Sequence, residues 1–109
     1  MSLDFILIKS HGYPLCMDDI EVDSQFGAAD YKKMADRFFG PVDWTGETGI
    51  AIHDEMSFEL KLSGTSLHVT VRGPGDRVAF IDNVAALAIK ESIATVDVQG
   101  SELLLPIND

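Results

Sequence analysis

The chain has little cysteine, tryptophan and positive charge, and it has no long apolar run. Its 109 residues contain one cysteine, Cys16, and one tryptophan, Trp44. A single cysteine cannot close an internal disulfide, and it cannot build a sulfur-rich metal site. No apolar run approaches the ~20 residues of a membrane-spanning helix. These absences argue against a disulfide scaffold and against a helical membrane protein.

The amino-terminal residues also lack the pattern of a secretory signal. Such a signal combines a basic start, an apolar core and a small-residue cleavage site, and the start of this sequence does not have that order. Together with the lone cysteine, this predicts a cytoplasmic protein that does not act at a membrane.

Positive charge is scarce relative to negative charge. Eighteen Asp and Glu residues oppose eight Lys and Arg residues, so the formal net charge is −10 at pH 7. Such a surface repels nucleic-acid phosphate and anionic lipid, and it attracts basic proteins. The sequence therefore predicts a basic protein partner rather than nucleic acid or membrane. The alternative is that the charge serves solubility alone.

The pattern of apolar residues predicts a succession of strands and helices. Strands are expected at 3–9, 49–53, 56–62, 67–72 and 95–98, helices at 25–39 and 76–92, and a short last strand at 102–105. Residues 41–47 are interpreted as a connector. Two amphipathic helices can cover one face of a mostly antiparallel sheet. We therefore expect a single α+β domain over residues 1–109, a two-layer sandwich with the ferredoxin-like order β-α-β-β-β-α-β.

The same patterns predict which faces are buried and which are polar. The first helix is expected to be capped by Asp23 or Ser24. The second helix is expected to bury a stripe that includes Leu87. The sheet face turned away from the helices would carry Glu59, Lys61, His68, Thr70 and Arg72.

The turn Arg72-Gly73-Pro74-Gly75 joins a predicted strand to the start of the second helix. Backbone amides and the helix dipole at such a point favour an anion, which makes Arg72, Gly73 and Gly75 candidate anion-binding residues. However, Asp76 already places a carboxylate at the cap position, and no phosphate-loop or dinucleotide-binding glycine motif is present. A tight strand-to-helix turn also needs glycine for backbone freedom alone. We therefore favour a purely structural role for this turn over anion binding.

No group of residues predicts catalysis, a metal or a cofactor. The histidines His11, His53 and His68 lack the i, i+4 partner of a zinc-binding helix, and no local motif would activate Cys16 as a nucleophile. An enzyme needs a nucleophile, a base and an electrophile that converge, and the sequence offers only single candidates. We therefore expect no metal, no cofactor and a non-catalytic role.

An acidic loop before the first helix is the strongest candidate for a binding surface. It contains Asp18, Asp19, Glu21 and Asp23, without the spacing of an EF-hand calcium loop. Its carboxylates would speed association with a basic partner and add specificity. The alternative is a solvated loop whose last carboxylates favour the helix start. Trp44 would add an apolar anchor, unless it only closes one end of the core.

Four stretches of the sequence together carry a resemblance to known proteins. They are LDFILIK, GPVDW, SFELKLSGTSLHVTVRGPGD and ATVDVQGSELL. This pattern resembles a group of small uncharacterised bacterial α+β proteins, some of which are immunity proteins, cytoplasmic inhibitors that protect a bacterium from a toxin. The likeness covers most of the chain, but it consists of turn chemistry. It therefore implies the fold, and no functional residue carries over from it.

Three hypotheses for the function differ in class. The first is a non-catalytic protein-binding module, most concretely an immunity protein that neutralises a basic toxin by occlusion. The second is a small-ligand-binding or enzymatic domain that uses the turn at 72–76. The third is a subunit of a homo-oligomer, since an open sheet leaves edge strands that can pair into a homodimer.

Overall fold

The structure of the protein is a computed structural model that describes residues 3–12, 20–53, 55–73, 77–98, 100 and 102–104. In chain order, its elements are β1 (Leu3–Lys9), α1 (Ala28–Phe39), β2 (Asp43–Thr45), β3 (Thr48–His53), β4 (Met56–Ser63), β5 (Ser66–Arg72), α2 (Arg77–Ile89), β6 (Ile93–Asp97) and β7 (Glu102–Leu103). The predicted elements are present with small shifts at their ends. The segment expected to be a connector contains β2.

The strands form one sheet in the order β2-β3-β4-β5-β1-β6-β7, and each described pair of neighbours is antiparallel. The helix α1 follows β1 and precedes β2, and α2 joins β5 to β6. The strands β4-β5-β1-β6 with the two helices have the ferredoxin-like arrangement of interlocked βαβ units. The strands β2 and β3 extend one edge and β7 extends the other. The α+β sandwich expected from the sequence is confirmed.

The hydrophobic core lies between the helices and one face of the sheet. Burial alternates along β4, where Phe58 and Leu60 are fully buried and Glu59 is exposed. The rings of Phe39 on α1, Phe58 on β4 and Phe80 on α2 lie 4.7–6.0 Å apart between centroids. Fully burying a side chain of this kind contributes about 1.5–3 kcal/mol. This aromatic cluster holds both helices on the sheet.

The first turn of α1 is capped differently from the sequence-based expectation. Gly27 is the N-cap, and its backbone N–H donates to Oδ2 of Asp30 at 3.0 Å. Asp23 instead accepts the backbone N–H of Gln25 at Oδ1, also at 3.0 Å. The prediction of Asp23 or Ser24 as the cap was wrong, because Asp23 serves a local turn four residues before the helix.

Helix α2 buries one face, and Leu87 is not on it. Ile81, Val84 and Ala88 are 4%, 1% and 0% exposed, whereas Leu87 is 46% exposed. Successive residues of a helix are about 100° apart, so Leu87 projects to the side of the face that Ile81, Ala85 and Ala88 define. The prediction that Leu87 belongs to the buried stripe of this helix was wrong.

The sheet face away from the helices carries the polar residues expected there. Glu59, Lys61, His68 and Arg72 are exposed, while Thr70 is half-buried. The Oγ1 hydroxyl of Thr70 donates to Oδ1 of Asp4, on the neighbouring strand β1, at 2.6 Å. We call this surface the open face.

Candidate functional site

The described part of the acidic loop is fixed to the end of β1. The backbone N–H of His11 donates to the carbonyl of Glu21 at 2.8 Å, and the N–H of Asp23 donates to the carbonyl of Lys9 at 2.9 Å. The N–H of Glu21 donates to Oγ of Ser10 at 3.1 Å. Residues 21–23 are therefore held as a short extension of the sheet.

This attachment determines which carboxylates the loop presents. The Glu21 side chain is exposed and has no hydrogen-bond or ionic partner among the described residues. Asp23 is half-buried, and its carboxylate serves the turn before α1. Asp18 and Asp19 lie outside the described residues. Within the part of the loop that the structure describes, Glu21 is thus the carboxylate available to a partner.

Trp44 packs at the outer edge of the sheet, on the helix side. Its ring covers Gly49 of β3 so closely that a Cβ on Gly49 would lie 2.8 Å from the ring. The Nζ of Lys32 lies 5.3 Å from the ring centroid, within the range of a cation–π contact. The indole Nε1 is buried and has no hydrogen-bond partner among the described residues. The half-buried ring thus closes one end of the core, and the anchoring role remains a prediction.

We call residues 18–23 of the acidic loop the acidic segment. The structure does not bring the described part of this segment close to Trp44. The segment with Glu21 pairs with the end of β1 on the side of β5, whereas Trp44 lies on β2, so β4 and β3 lie between the two positions. At about 4.8 Å per strand, three steps correspond to roughly 14 Å across the sheet. A partner that contacts both residues must therefore span about half of the sheet.

Arg72 lies on the open face and is already paired. Its guanidinium Nη1 lies 2.7 Å from Oε1 of Glu59, and the two side chains are 55% and 52% exposed. Gly73 follows with φ of +115°, and a Cβ at this position would lie 2.4 Å from the carbonyl oxygen of Glu55. This close approach requires glycine on structural grounds. Gly75 lies outside the described residues, and anion binding at this turn remains a prediction.

The candidate metal and nucleophile positions form no cluster in the described residues. His11 and His68 are both exposed. Within residues 3–12, 20–53, 55–73, 77–98, 100 and 102–104, no group of three or more His, Cys, Asp or Glu side chains could hold a metal ion. Cys16 and the side chain of His53 are outside the described part.

Two cavities lie near the start of β1, and the sequence interpretation missed both. One, of about 130 Å³, opens between β1 and α2 and is mainly apolar, with Asp82 and Asp97 among its lining residues. The other, of about 190 Å³, lies on the open face and includes His68 and the hydrogen-bonded pair Asp4 and Thr70. The sequence feature that could have indicated them is Asp4, the single carboxylate in the stretch LDFILIK, where it precedes four consecutive apolar residues.

Unpaired negative charge is distributed over the described surface. Two ion pairs are present there, between Arg37 and Glu91 and between Arg72 and Glu59. Five other carboxylates are exposed with no ionic or hydrogen-bond partner among the described residues. They are Glu21, Asp43, Glu47, Glu55 and Asp82. The surface can therefore attract a cationic partner at more than one place.

Comparison with known proteins assigns no family to this geometry. No family model, no curated protein and no solved structure matches the chain. Neither described helix is long and apolar enough to cross a membrane. The functional interpretation therefore depends on the charges and surfaces of the chain itself.

Proposed function

We propose that this chain is a non-catalytic protein-binding module that masks a basic partner protein by occlusion. In its most concrete form it is a cytoplasmic immunity protein that neutralises a basic toxin. Carboxylates on the module pair with Lys and Arg side chains around the functional site of the partner. No step of this mechanism requires a metal, a cofactor or a reacting group on the module.

The observation that carries the proposal is the unbalanced negative charge of the exposed surface. The exposed carboxylates at Glu21, Asp43, Glu47, Glu55 and Asp82 have no cationic partner in the described residues. An excess of one sign of charge on a surface raises the rate of encounter with an oppositely charged protein. This supports a basic protein as the partner.

The acidic segment is the proposed first contact. Between Lys9 and Lys32 the sequence contains five carboxylates and no Lys or Arg. The backbone of Glu21 is fixed by its bonds to His11 and Ser10, so little ordering entropy is lost when a partner binds there. Asp18 and Asp19 belong to the same proposed contact on the basis of sequence, and Trp44 is a second, distant contact for a large partner.

Affinity capture from a lysate of the source organism tests the proposal. The tagged chain is incubated with the lysate at low and at high salt, and the retained proteins are identified by mass spectrometry. We expect one basic protein that is retained at low salt and weakened at high salt, because salt screens exposed charges beyond about 10 Å at 0.1 M. Retention of no basic protein contradicts the proposal.

Two matched variants locate the contact. Glu21→Lys and Asp82→Lys change the net charge equally, and both residues are exposed. Asp82 lies on α2, near the start of β1, whereas Glu21 lies beyond the end of β1. We expect Glu21→Lys to weaken capture by about tenfold and Asp82→Lys by no more than about twofold. Equal effects of Glu21→Lys and Asp82→Lys would exclude Glu21 from the contact.

Charge reversal of Asp18 and Asp19 is expected to slow association and reduce its salt dependence.

A further inference from the structure

Strand β3 is covered along only half of its outer edge. The register pairs β2 with the first half of β3, ending at Asp43 opposite Ile50. Residues 51–53 continue the strand and pair with β4 on the inner side. On the outer side these three residues have no strand partner among the described residues.

The chain before β2 explains why the pairing stops there. If the β2–β3 register continued, Pro41 would lie opposite Ile52, and Pro41 has no backbone N–H to donate to a sheet. The N–H of Val42 points away from β3 and donates to Oδ1 of Asp36 on α1 at 3.1 Å, which ties this part of the chain to the helix. The open half of the edge is therefore built into the connection between α1 and β2.

The main chain of Ile52 points out of this open edge. Along a strand, backbone groups point alternately to the two sides. The carbonyl of Glu47 accepts the N–H of Leu62 on β4 at 2.8 Å, which directs the odd-numbered residues of this segment toward β4. The N–H and C=O groups of Ile52 are thus directed to the side where β2 has already ended.

Exposed apolar side chains accompany this open backbone. Ile52 is 74% exposed, and Ile50, two residues earlier on the same face, is 52% exposed. Strand edges in natural proteins are commonly protected by charged side chains, proline or a covering loop. Near Ile52 the described chain supplies Pro41 before β2 and the exposed carboxylates Asp43 and Glu55, but it leaves the Ile52 side chain itself exposed.

The charge around the edge selects the kind of partner. Asp43, Glu47 and Glu55 are exposed around β2 and β3 without ionic partners in the described residues. Between Arg37 and Lys61 the sequence contains five carboxylates and no Lys or Arg. A second copy of the chain would bring the same carboxylates against these and is disfavoured by repulsion. A cationic segment is favoured.

We infer that the open edge of β3 is a docking site for an extended, cationic segment of the basic partner, which adds as a strand beside Ile52. Its backbone would pair with the N–H and C=O of Ile52, and its apolar side chains would lie beside Ile50 and Ile52. Its Lys or Arg residues would lie near Asp43 and Glu55. This inference rests on the proposed function, because it specifies how part of the basic partner is recognised.

Amide hydrogen exchange at Ile52 measures the docking directly. The probe is a seven-residue peptide of alternating lysine and valine at millimolar concentration, and the control peptide has glutamate in place of lysine. We expect the lysine peptide to slow exchange of the Ile52 amide by about tenfold and the glutamate peptide to leave it unchanged. Unchanged exchange with the lysine peptide, equal protection by both peptides, or a dimer of the chain that already protects Ile52 would each overturn the inference.

Substitutions at Ile52 separate the backbone contact from the side-chain contact. Ile52→Pro removes the outward N–H together with much of the apolar side chain, at a position where an edge strand tolerates proline. Ile52→Ala is the matched control, because it keeps the N–H and also loses most of that side chain. We expect the proline variant to bind the lysine peptide about fivefold more weakly than the alanine variant. Equal binding by both variants would exclude strand addition.

The peptide experiment also distinguishes this inference from the proposed function. If lysate capture retains no basic protein but the lysine peptide protects Ile52, the proposed function fails while the edge remains a cationic docking site. If a basic protein is captured through Glu21 and neither that protein nor the peptide protects Ile52, the inference fails while the proposed function stands.

Discussion

At the scale of single residues, Gly73 has a structural reason to be glycine. Its φ of +115° is one that L side chains rarely adopt, and its Cα faces the Glu55 carbonyl so closely that a Cβ would lie 2.4 Å away. The sequence pattern indicated a turn glycine here, and it also allowed an anion site. The contact with Glu55 could not be predicted, because it depends on how the β3–β4 turn packs against the end of β5.

Replacement of Gly73 by alanine is expected to destabilise the protein strongly. Gly73→Ala combines backbone strain with steric overlap, which together cost roughly 3 kcal/mol of unfolding free energy. Gly64→Ala is the matched control, since Gly64 has φ of +61° and a Cβ there would meet no atom within 4 Å, and its expected cost is about 1–2 kcal/mol. Denaturant unfolding of both variants measures the difference. Equal losses of stability would mean that the close approach to Glu55 is absent.

Tyr31 joins three parts of the fold through one hydroxyl. The hydroxyl oxygen accepts the backbone N–H of Lys9 at 2.9 Å, and the hydroxyl donates to the carbonyl of Thr65 at 2.6 Å. Burial raises the pKa of Tyr31 above its ordinary value of 10.0; the Lys9 hydrogen bond opposes this shift, and the nearby Asp23 carboxylate adds to it. Helix α1 is thereby tied to the end of β1 and to the β4–β5 turn.

The Tyr31→Phe variant is expected to lose both bonds and about 1–3 kcal/mol of stability at neutral pH. The raised pKa also has a consequence for pH dependence. The folded state keeps the phenol proton at a pH where the unfolded state loses it, so this contribution is complete below pH 10 and falls as the pH rises above 10. The unfolding free energies of wild type and Tyr31→Phe are measured from pH 8 to pH 11. Their difference tests both the loss of stability and its dependence on pH. A difference that grows with pH would contradict the assignment.

At the scale of elements, the strands were predicted better than the helix boundaries and faces. The alternation in β4 and β5 identifies buried and exposed sides without further information. The strand β2 was missed because it has three residues, too few to show a period. The start of α1 was misplaced because Asp23 and Ser24 resemble capping residues, whereas Gly27 and Asp30 form the cap.

The corrected face of α2 predicts a contrast between two large aliphatic residues. Ile81 is 4% exposed and Leu87 is 46% exposed. Ile81→Ala is expected to cost about 2–5 kcal/mol, because it leaves a cavity in the core. Leu87→Ala is expected to stay within about 0.5 kcal/mol of wild type. Chemical denaturation compares the two variants directly, and a larger loss for Leu87→Ala would reverse the assignment of the buried face.

At the scale of the whole molecule, the fold class was predictable and the placement of the candidate residues was not. The order of strands and helices along the chain, with a helix after the first strand and another before the sixth, leads to the ferredoxin-like sandwich. The separation of Trp44 from the acidic segment depends on strand order in the sheet, which local patterns do not specify. The open edge at Ile52 depends on where the β2–β3 pairing ends, because continuing that register would place Pro41, which has no backbone N–H, opposite Ile52.

The charge of the whole molecule is the property from which the functional account follows. A net charge of −10 is visible in the sequence, but the sequence does not show which carboxylates are already paired. The structure separates the paired Glu59 and Glu91 from Glu21, Glu47 and Glu55, which are exposed and have no partner among the described residues. The proposed recognition of a basic partner therefore requires a long-range attraction that depends on ionic strength, with Glu21 among the residues that produce it.

The salt dependence of the association rate tests the central claim most directly. The captured partner is mixed with the chain in a stopped-flow experiment over a range of ionic strength. We expect the association rate constant to fall by about tenfold or more between low and physiological salt, and the fall to be smaller for Glu21→Lys than for Asp82→Lys. A rate constant that does not change with salt, or equal slopes for the two variants, would contradict electrostatic recognition through the acidic segment.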